Sequence, residues 1–362
     1  MKILLFGEYS GLFNCLKDGL ITLDHEVFLV SDGEGYRNWD SDFRYDIKLK
    51  LGKAKHLFEI GNVFLNYKLL KGYDIVFIIG PEIFSRYRLP NKIVFDFLIK
   101  NNSKVYLCGA GITAKIFDYW FDNKTSKYFN YMSGYLDEYD DPKKFRYFQN
   151  NRMKKWEDEL LEKIDGYIPI WYEYAQPFRE LEKMVKTIRI PINLSKFKYE
   201  PNRIDKKIVF FHGITKSCKG GKYIIEAFDR LRPKYKSEAE FICAGGLTFV
   251  DYMKIIDKTN VILDDVNSYS IAMNGLFSMA KGKIVMGGAE LEGNRELGYI
   301  NNPVVNLRNN VDQICSCIED FISKKREIEE IGYNSRKFVE KYHNYIEIAK
   351  EYAELWNKEL NK

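Results

Sequence analysis

Lysines and carboxylates beside glycine turns are the residues of this 362-residue chain best placed to do chemistry. Phe211-His212-Gly213-Ile214-Thr215-Lys216-Ser217-Cys218-Lys219-Gly220-Gly221 runs from an apolar segment through a glycine turn and a basic loop into a helical pattern. Lysines just before a helix start add cationic charge where backbone N–H groups already favour phosphate. Lys216 and Lys219 are therefore candidates for holding a phosphate, against the alternative of a solvated basic loop. Farther on, Asp264-Asp265-Val266-Asn267-Ser268-Tyr269-Ser270-Ile271-Ala272-Met273-Asn274 leads into a small-residue-rich helix. The next loop, Gly287-Gly288-Ala289-Glu290-Leu291-Glu292-Gly293, is rich in glycine and carboxylate and follows an apolar run. Glu290 and Glu292 are its candidate acids for contacting a polar ligand, or else exposed loop carboxylates.

Two loops in the first half compete for attention. Gly7-Glu8-Tyr9-Ser10-Gly11 follows the first apolar run and opens a helix. In open α/β sheets that edge is where ligands bind. Gly109-Ala110-Gly111-Ile112-Thr113-Ala114 fits the pattern G-x-G-x-x-A after a strand. It follows a late strand, however, and no acidic residue about 20 positions on is placed to hold a ribose. A close-approach loop is the better reading than a dinucleotide site.

These loops need a scaffold, and the chain supplies one by alternation. Near-continuous apolar runs at Lys2–Phe6, Glu26–Ser31, Asp74–Ile79, Lys104–Cys108, Gly166–Ile170 and Thr187–Ile190 read as strands buried on both faces. A second series follows at Lys207–Phe211, Ala239–Ala244, Asn260–Leu263, Lys283–Met286 and Pro303–Asn306. Helical stretches such as Tyr223–Leu231 and Tyr269–Ala280 lie between. Two series of βα units imply two doubly wound α/β domains. They are expected over 1–195 and 196–340, meeting near Pro191–Lys206. Over 341–362, Ile346, Ala349, Ala353 and Trp356 keep the spacing of a closing amphipathic helix.

Composition narrows the function. The 46% hydrophobic and 30% charged content excludes a mainly disordered chain. The net charge of +5 is too small to argue for nucleic acid. Four scattered histidines give no metal-ligand spacing, and six scattered cysteines read as free thiols of a reducing compartment. The first residues lack the features of a signal peptide, so the expected location is cytoplasmic, or at the inner face of a membrane. The aromatic and basic stretch Ile116–Trp156, with its acidic run Asp137–Asp141, offers weak peripheral membrane contact as the alternative to a solvated helical insertion.

Residues 207–357 resemble the large retaining group of GT-B glycosyltransferases that use nucleotide-sugar donors. The likeness lies in the H-G…K-G turn with its I-x-x-A-F helix, the segment Ser268-Tyr269-Ser270 through Leu276-Phe277-Ser278-Met279-Ala280-Lys281-Gly282-Lys283-Ile284-Val285, and the closing helix. The resemblance implies two Rossmann-like domains with an interdomain cleft and a C-terminal helix crossing back to the first. It implies a donor site built from His212, Gly213, Lys216, Lys219, Ser268, Tyr269, Ser270 and Asn274. Acceptor contacts would come from Glu8, Tyr9, Ser10, Gly11, Gly109 and Gly111, and the catalytic acids would be Glu290 and Glu292. No metal and no cofactor is implied, the nucleotide sugar being a co-substrate. Lys219 matches the lysine of the family's Arg-x4-Lys, whereas Ile214 takes the arginine's place. The family's paired acids, E-x7-E, fall on Tyr269 and Phe277.

The expected activity is transfer of a sugar from a nucleotide-diphosphate sugar to a saccharide or lipid-linked saccharide, in bacterial cell-surface polysaccharide synthesis. A nucleotide-sugar epimerase of the same fold, with His212 in the site, and a catalytically inactive binding protein are the alternatives.

Overall fold

The structure, a computed structural model, describes residues 1–34, 38–46, 55–83, 88–134, 146 and 148–361. The acidic run Asp137–Asp141 lies outside them. The chain divides into two compact units, the first made of Met1–Tyr119, Arg146–Asn193 and Tyr345–Lys362, the second of Trp120–Phe145 and Leu194–Asn344. Residues 120–145, which the sequence alone assigns to the first domain, thus cluster with the second.

The first unit is built on β1 (Lys2–Phe6), β2 (Glu26–Ser31), β3 (Phe43–Arg44), β4 (Ile75–Ile78), β5 (Lys104–Gly109) and β6 (Gly166–Pro169). All are parallel, in the order β3-β2-β1-β4-β5-β6. Ile3–Phe6 and Ile75–Ile78 are fully buried, as strands covered on both faces must be. The helix Leu12–Thr22 leaves β1, and the last helix, Tyr345–Leu360, packs along it within the same unit. Trp356 and Tyr352 anchor that helix, their rings 5.5 Å and 5.2 Å from Phe77 of β4.

The second unit holds β7 (Ile208–Ile214), β8 (Ala239–Gly245), β9 (Val261–Leu263), β10 (Ile284–Gly287) and β11 (Val305–Asn306). These are also all parallel, ordered β11-β10-β9-β7-β8. Phe210, Phe241 and Met286 from the strands meet Ile224, Phe228, Ile314 and Ile318 from the helices Gly221–Leu231 and Val311–Ser323 in one apolar core.

Three sequence expectations change. Thr187–Ile190 is not a strand: Val185 N and Ile188 N donate to the carbonyls of Tyr167 and Pro169, and among the described residues the pairing here amounts to an isolated bridge between Tyr167 and Met184. These two hydrogen bonds are three residues apart on the segment but two apart on β6, so the register slips and no ladder is propagated. The helix expected from Tyr269 starts at Met273, because the Ser268 hydroxyl donates to the Ser270 carbonyl and closes a loop first. Phe117, Trp120, Tyr128, Tyr131, Phe148 and Trp156 are buried, so these six aromatics of the 116–156 stretch serve the core, while Tyr119 is exposed.

Trp356→Ala empties a fully buried site between Phe77, Tyr106 and Tyr352. We expect it to destabilise the protein by about 3–5 kcal/mol. Denaturant unfolding checks this, and a loss under about 1 kcal/mol would contradict the described packing.

Candidate active site

Both sheets reverse their strand order beside their first strand: β1 lies between β2 and β4, and β7 between β8 and β9. Connections leaving neighbouring strands in opposite directions open a crevice at the C-terminal edge, where α/β sheets bind ligands. In the second unit the loops flanking that point are His212–Gly220 and Asp264–Ala272.

Lys219 ends the first loop. It closes the 3-10 turn Ser217–Lys219, and Gly220 follows in the left-handed region, φ 79°, where it starts the helix Gly221–Leu231 without a side-chain cap. The uncapped turn leaves N–H groups for an anion. The two loops are tied together: the Val266 amide donates to the Lys219 carbonyl at 3.1 Å, and Asn267 Nδ2 to the Cys218 carbonyl at 2.8 Å. This places Lys219 Nζ 4.0 Å from Asp264 Oδ1 and 3.9 Å from Asp265 Oδ2. Its side chain is only 21% exposed, so it is not the solvated loop lysine of the bland sequence reading.

Asp265 is the unusual acid. Burial pushes its carboxyl up to about 7, outweighing the pull of Lys219, with Asp264 adding to the rise and the Asn267 amide and Lys127 opposing it. His212, also buried, donates from Nδ1 to the Leu263 carbonyl at 2.9 Å, since a carbonyl can only accept. Burial holds its imidazole below the usual value and nearby Lys219 adds to this, against the Leu263 contact and Asp264. The Leu263 contact fixes the orientation of its ring. Gly213 continues β7 against Tyr252, and Lys216 is exposed.

The β10 loop is locked onto the β9 loop. A Cβ on Gly288 would fall 2.4 Å from the Ser268 carbonyl, and one on Gly293 2.7 Å from Ser270 Oγ. The Glu290 amide donates to the Tyr269 carbonyl at 3.0 Å. The Glu290 side chain, 12% exposed, lies 3.1 Å from Lys127 Nζ and 3.4 Å from Arg308 Nε. Burial raises its pKa, but hydrogen bonding from Asn306 and the charges of Lys127 and Arg308 outweigh that and hold it below the ordinary range. Glu290 is an ionised, paired carboxylate. Glu292, on the short helix Leu291–Glu296, is exposed.

Lys127 comes from the helix Lys127–Ser133 in the 120–134 stretch, where it also donates to the Leu307 carbonyl at 2.7 Å. The same stretch sets Trp120 against Tyr269, 5.6 Å between rings, and Gly134 so close to Cys218 that a Cβ there would lie 2.6 Å from its Cα. One segment therefore braces all three loops. Tyr269 and Phe277, at the positions of the expected acid pair, are buried aromatics, Phe277 stacking on Phe197 at 4.7 Å. Ser268 and Ser270 are buried in their loop, and Asn274 is half-buried in the first turn of its helix.

In the first unit, Glu8 is spent on structure. Its oxygens accept from the amides of Gly11 (2.9 Å), Phe13 (3.3 Å) and Asn14 (2.9 Å) and from Asn14 Nδ2 (2.7 Å), capping the helix Leu12–Thr22. Gly111 leaves room for the Tyr9 ring, 3.3 Å from where its Cβ would be, and Gly109 for the Tyr167 hydroxyl. The G-x-G-x-x-A loop is thus a packing device. Tyr9 and Ser10 remain partly exposed beside Gly11.

The reading from sequence missed Lys127, Asp264, Asp265 and Arg308 as parts of this cluster. Adjacent aspartates at a strand's C-terminal end are a usable signal; Lys127, distant in the chain, gives none.

Two all-parallel sheets with these reversals are the GT-B glycosyltransferase fold, and this chain has that fold. Solved structures similar over the whole chain include Anabaena HepE in complex with UDP and glucose, with a TM-score of 0.62 at 11% identity, covering 99% of this chain and 100% of that one. The sucrose-phosphate synthase of Thermosynechococcus elongatus gives 0.64 at 14% identity, with 99% of each chain covered. A glycosyltransferase from Rickettsia africae gives 0.56 at 14%, covering 100% of this chain and 99% of that one. No family model matches the sequence, and no curated protein does.

Two outcomes test the cluster. The native state holds a proton on Asp265 between its ordinary value of 3.8 and about 7, so its contribution to stability is present at low pH and declines as pH rises through that window. Asp265→Asn removes that slope; the variant gains on the native protein by up to roughly 4 kcal/mol between about pH 4 and pH 8, read from paired denaturant curves. Parallel curves would show that Asp265 is ionised in the fold. Lys127→Ala leaves the mostly buried Glu290 with Arg308 as its remaining cation, and we expect a loss of about 1–3 kcal/mol that Lys127→Ala/Glu290→Gln largely restores. Additive losses in the double variant would remove the brace.

Proposed function

We propose that the chain is a glycosyltransferase that moves a sugar from a nucleotide-diphosphate sugar to a hydroxyl of a saccharide acceptor. The observation that carries this reading is the position of Lys219: at the strand-order reversal of the second sheet, just before an uncapped helix N-terminus, in a GT-B fold. In the reaction the bond from the anomeric carbon to the phosphate oxygen breaks and its electron pair leaves with the diphosphate. The acceptor oxygen bonds to that carbon and gives up its proton to the departing diphosphate or to water. Negative charge grows on the diphosphate as the bond breaks, so a cation and helix N–H groups fixed there stabilise the transition state more than the ground state.

The other residues follow from their surroundings. Glu290, kept ionised by Lys127 and Arg308, accepts hydrogen bonds from sugar hydroxyls and does not act as a proton donor. The half-exposed Tyr9 and Ser10 are the acceptor contacts of the first unit. Retention of configuration without a metal, a lipid-linked acceptor and a role in cell-surface polysaccharide extend this reading along the family resemblance. Binding without turnover is the second reading, favoured by Tyr269 and Phe277 standing where the resemblance places two acids.

Titration with UDP-, GDP- and ADP-sugars, followed by assays for released nucleotide with and without saccharide acceptors, separates the readings. Lys219→Ala should weaken donor binding and slow transfer by about ten- to a hundredfold, the worth of one charge-assisted contact. Lys216→Ala, at an exposed position, should change both by less than about threefold. Unchanged donor affinity and rate in a folded Lys219→Ala variant would reject the phosphate role.

A further inference from the structure

We propose that the first unit docks on anionic lipid bilayers through an apolar face formed by the helices Lys55–Leu65 and Arg88–Asn101 and the 3-10 turn Tyr67–Leu70 between them. The helix Lys55–Leu65 is amphipathic in an unusual sense. Its inner side buries Val63 and Glu59, while Leu57, Phe58 and Leu65, within one 100° arc of the helix, face solvent at 70%, 53% and 85% exposure. Leu89 and Ile93, one turn apart, are 66% and 44% exposed on the neighbouring helix, and Tyr67 and Leu69 are about 40% exposed on the turn. Phe97 joins the pieces, its ring 5.8 Å from Phe64 and 6.4 Å from Tyr67. Seven large apolar side chains so exposed amount to on the order of 700 Å², more than a soluble monomer ordinarily leaves open.

Charge selects the occupant. Residues 55–71 and 89–101 carry five lysines (55, 68, 71, 92 and 100) against two carboxylates, Glu59 and Asp96, a formal +3 of the chain's +5. Both acids are already paired, Glu59 with Lys55 at 3.2 Å and Asp96 with Lys92 and Lys163. Lys68, Lys71 and Lys100 stand exposed at the margin, Lys71 lying over the Tyr67 ring at 5.3 Å. A second copy of the same face would meet it with like charge. An anionic bilayer satisfies both features, taking the leucines and phenylalanine below the headgroups and the lysines at the phosphates. This surface is separate from the aromatic stretch 116–156 and does not depend on the proposed transfer activity.

Co-sedimentation of the full chain with phosphatidylcholine vesicles, with and without roughly one third phosphatidylglycerol, tests the proposal. We expect binding to the anionic vesicles, weakened by salt, and at least about tenfold less binding to phosphatidylcholine alone. Leu65→Glu/Leu89→Glu, at exposed positions that leave the fold intact by circular dichroism, should reduce the anionic binding at least about tenfold. Lys68→Glu/Lys71→Glu should do the same and remove the salt dependence. The proposal is overturned if the native chain does not sediment with anionic vesicles at low salt, or if the leucine variant binds them as the native chain does. A native dimer that the leucine variant dissociates, with no vesicle binding, assigns the face to self-association and overturns it as well.

Discussion

A parallel sheet offers a ligand site only where two neighbouring strands send their connections to opposite sides, because elsewhere the helices close over the edge. That constraint acts twice in this chain, at β1/β4 and at β7/β9. Everything assembled at the second point depends on it: the Lys219 turn, the paired aspartates and the loop that carries Glu290 all leave the same edge. At the first point the crevice is partly filled by the protein itself, with Glu8 turned back to cap its helix and the Tyr9 ring packed by Gly111.

The second site is held together from outside its own βα units. The 120–134 stretch leaves the run of the first unit to set Trp120, Lys127 and Gly134 against the three loops. Aromatic packing at Tyr269 and Phe277 takes over positions where acids were expected, so the loop is fixed by packing, and the ionised carboxylate at this edge is Glu290, held by Lys127 and Arg308.

Local pattern carried much of this into the sequence. Ile3–Phe6 and Ile75–Ile78 are apolar at every position because both faces are covered, and such strands are readable with no knowledge of their neighbours. The glycine after Lys219 was readable by its type, since Gly220 takes the left-handed turn into the next helix, whereas Gly213, expected in a turn, continues β7. What stayed hidden was set by distant partners. Thr187–Ile190 has strand composition but meets the edge of β6 out of register, and β3 is two residues paired to the edge of β2. Glu8 looked like a ligand contact until the four donors around it were in place, and nothing near Lys127 in sequence announces Glu290.

Gly288 and Gly293 have a consequence for how such a site can diversify. Each sits where even a methyl group would collide with backbone or the Ser270 hydroxyl, so the β9 and β10 loops are interlocked and a substitution in one must be answered in the other. Ile214, Thr215 and Lys216, by contrast, are exposed at the end of β7. Natural drift or directed selection for a different ligand thus has an inexpensive route through those three positions. The interlocked loops would be inherited unchanged, a fixed die beside an exchangeable insert.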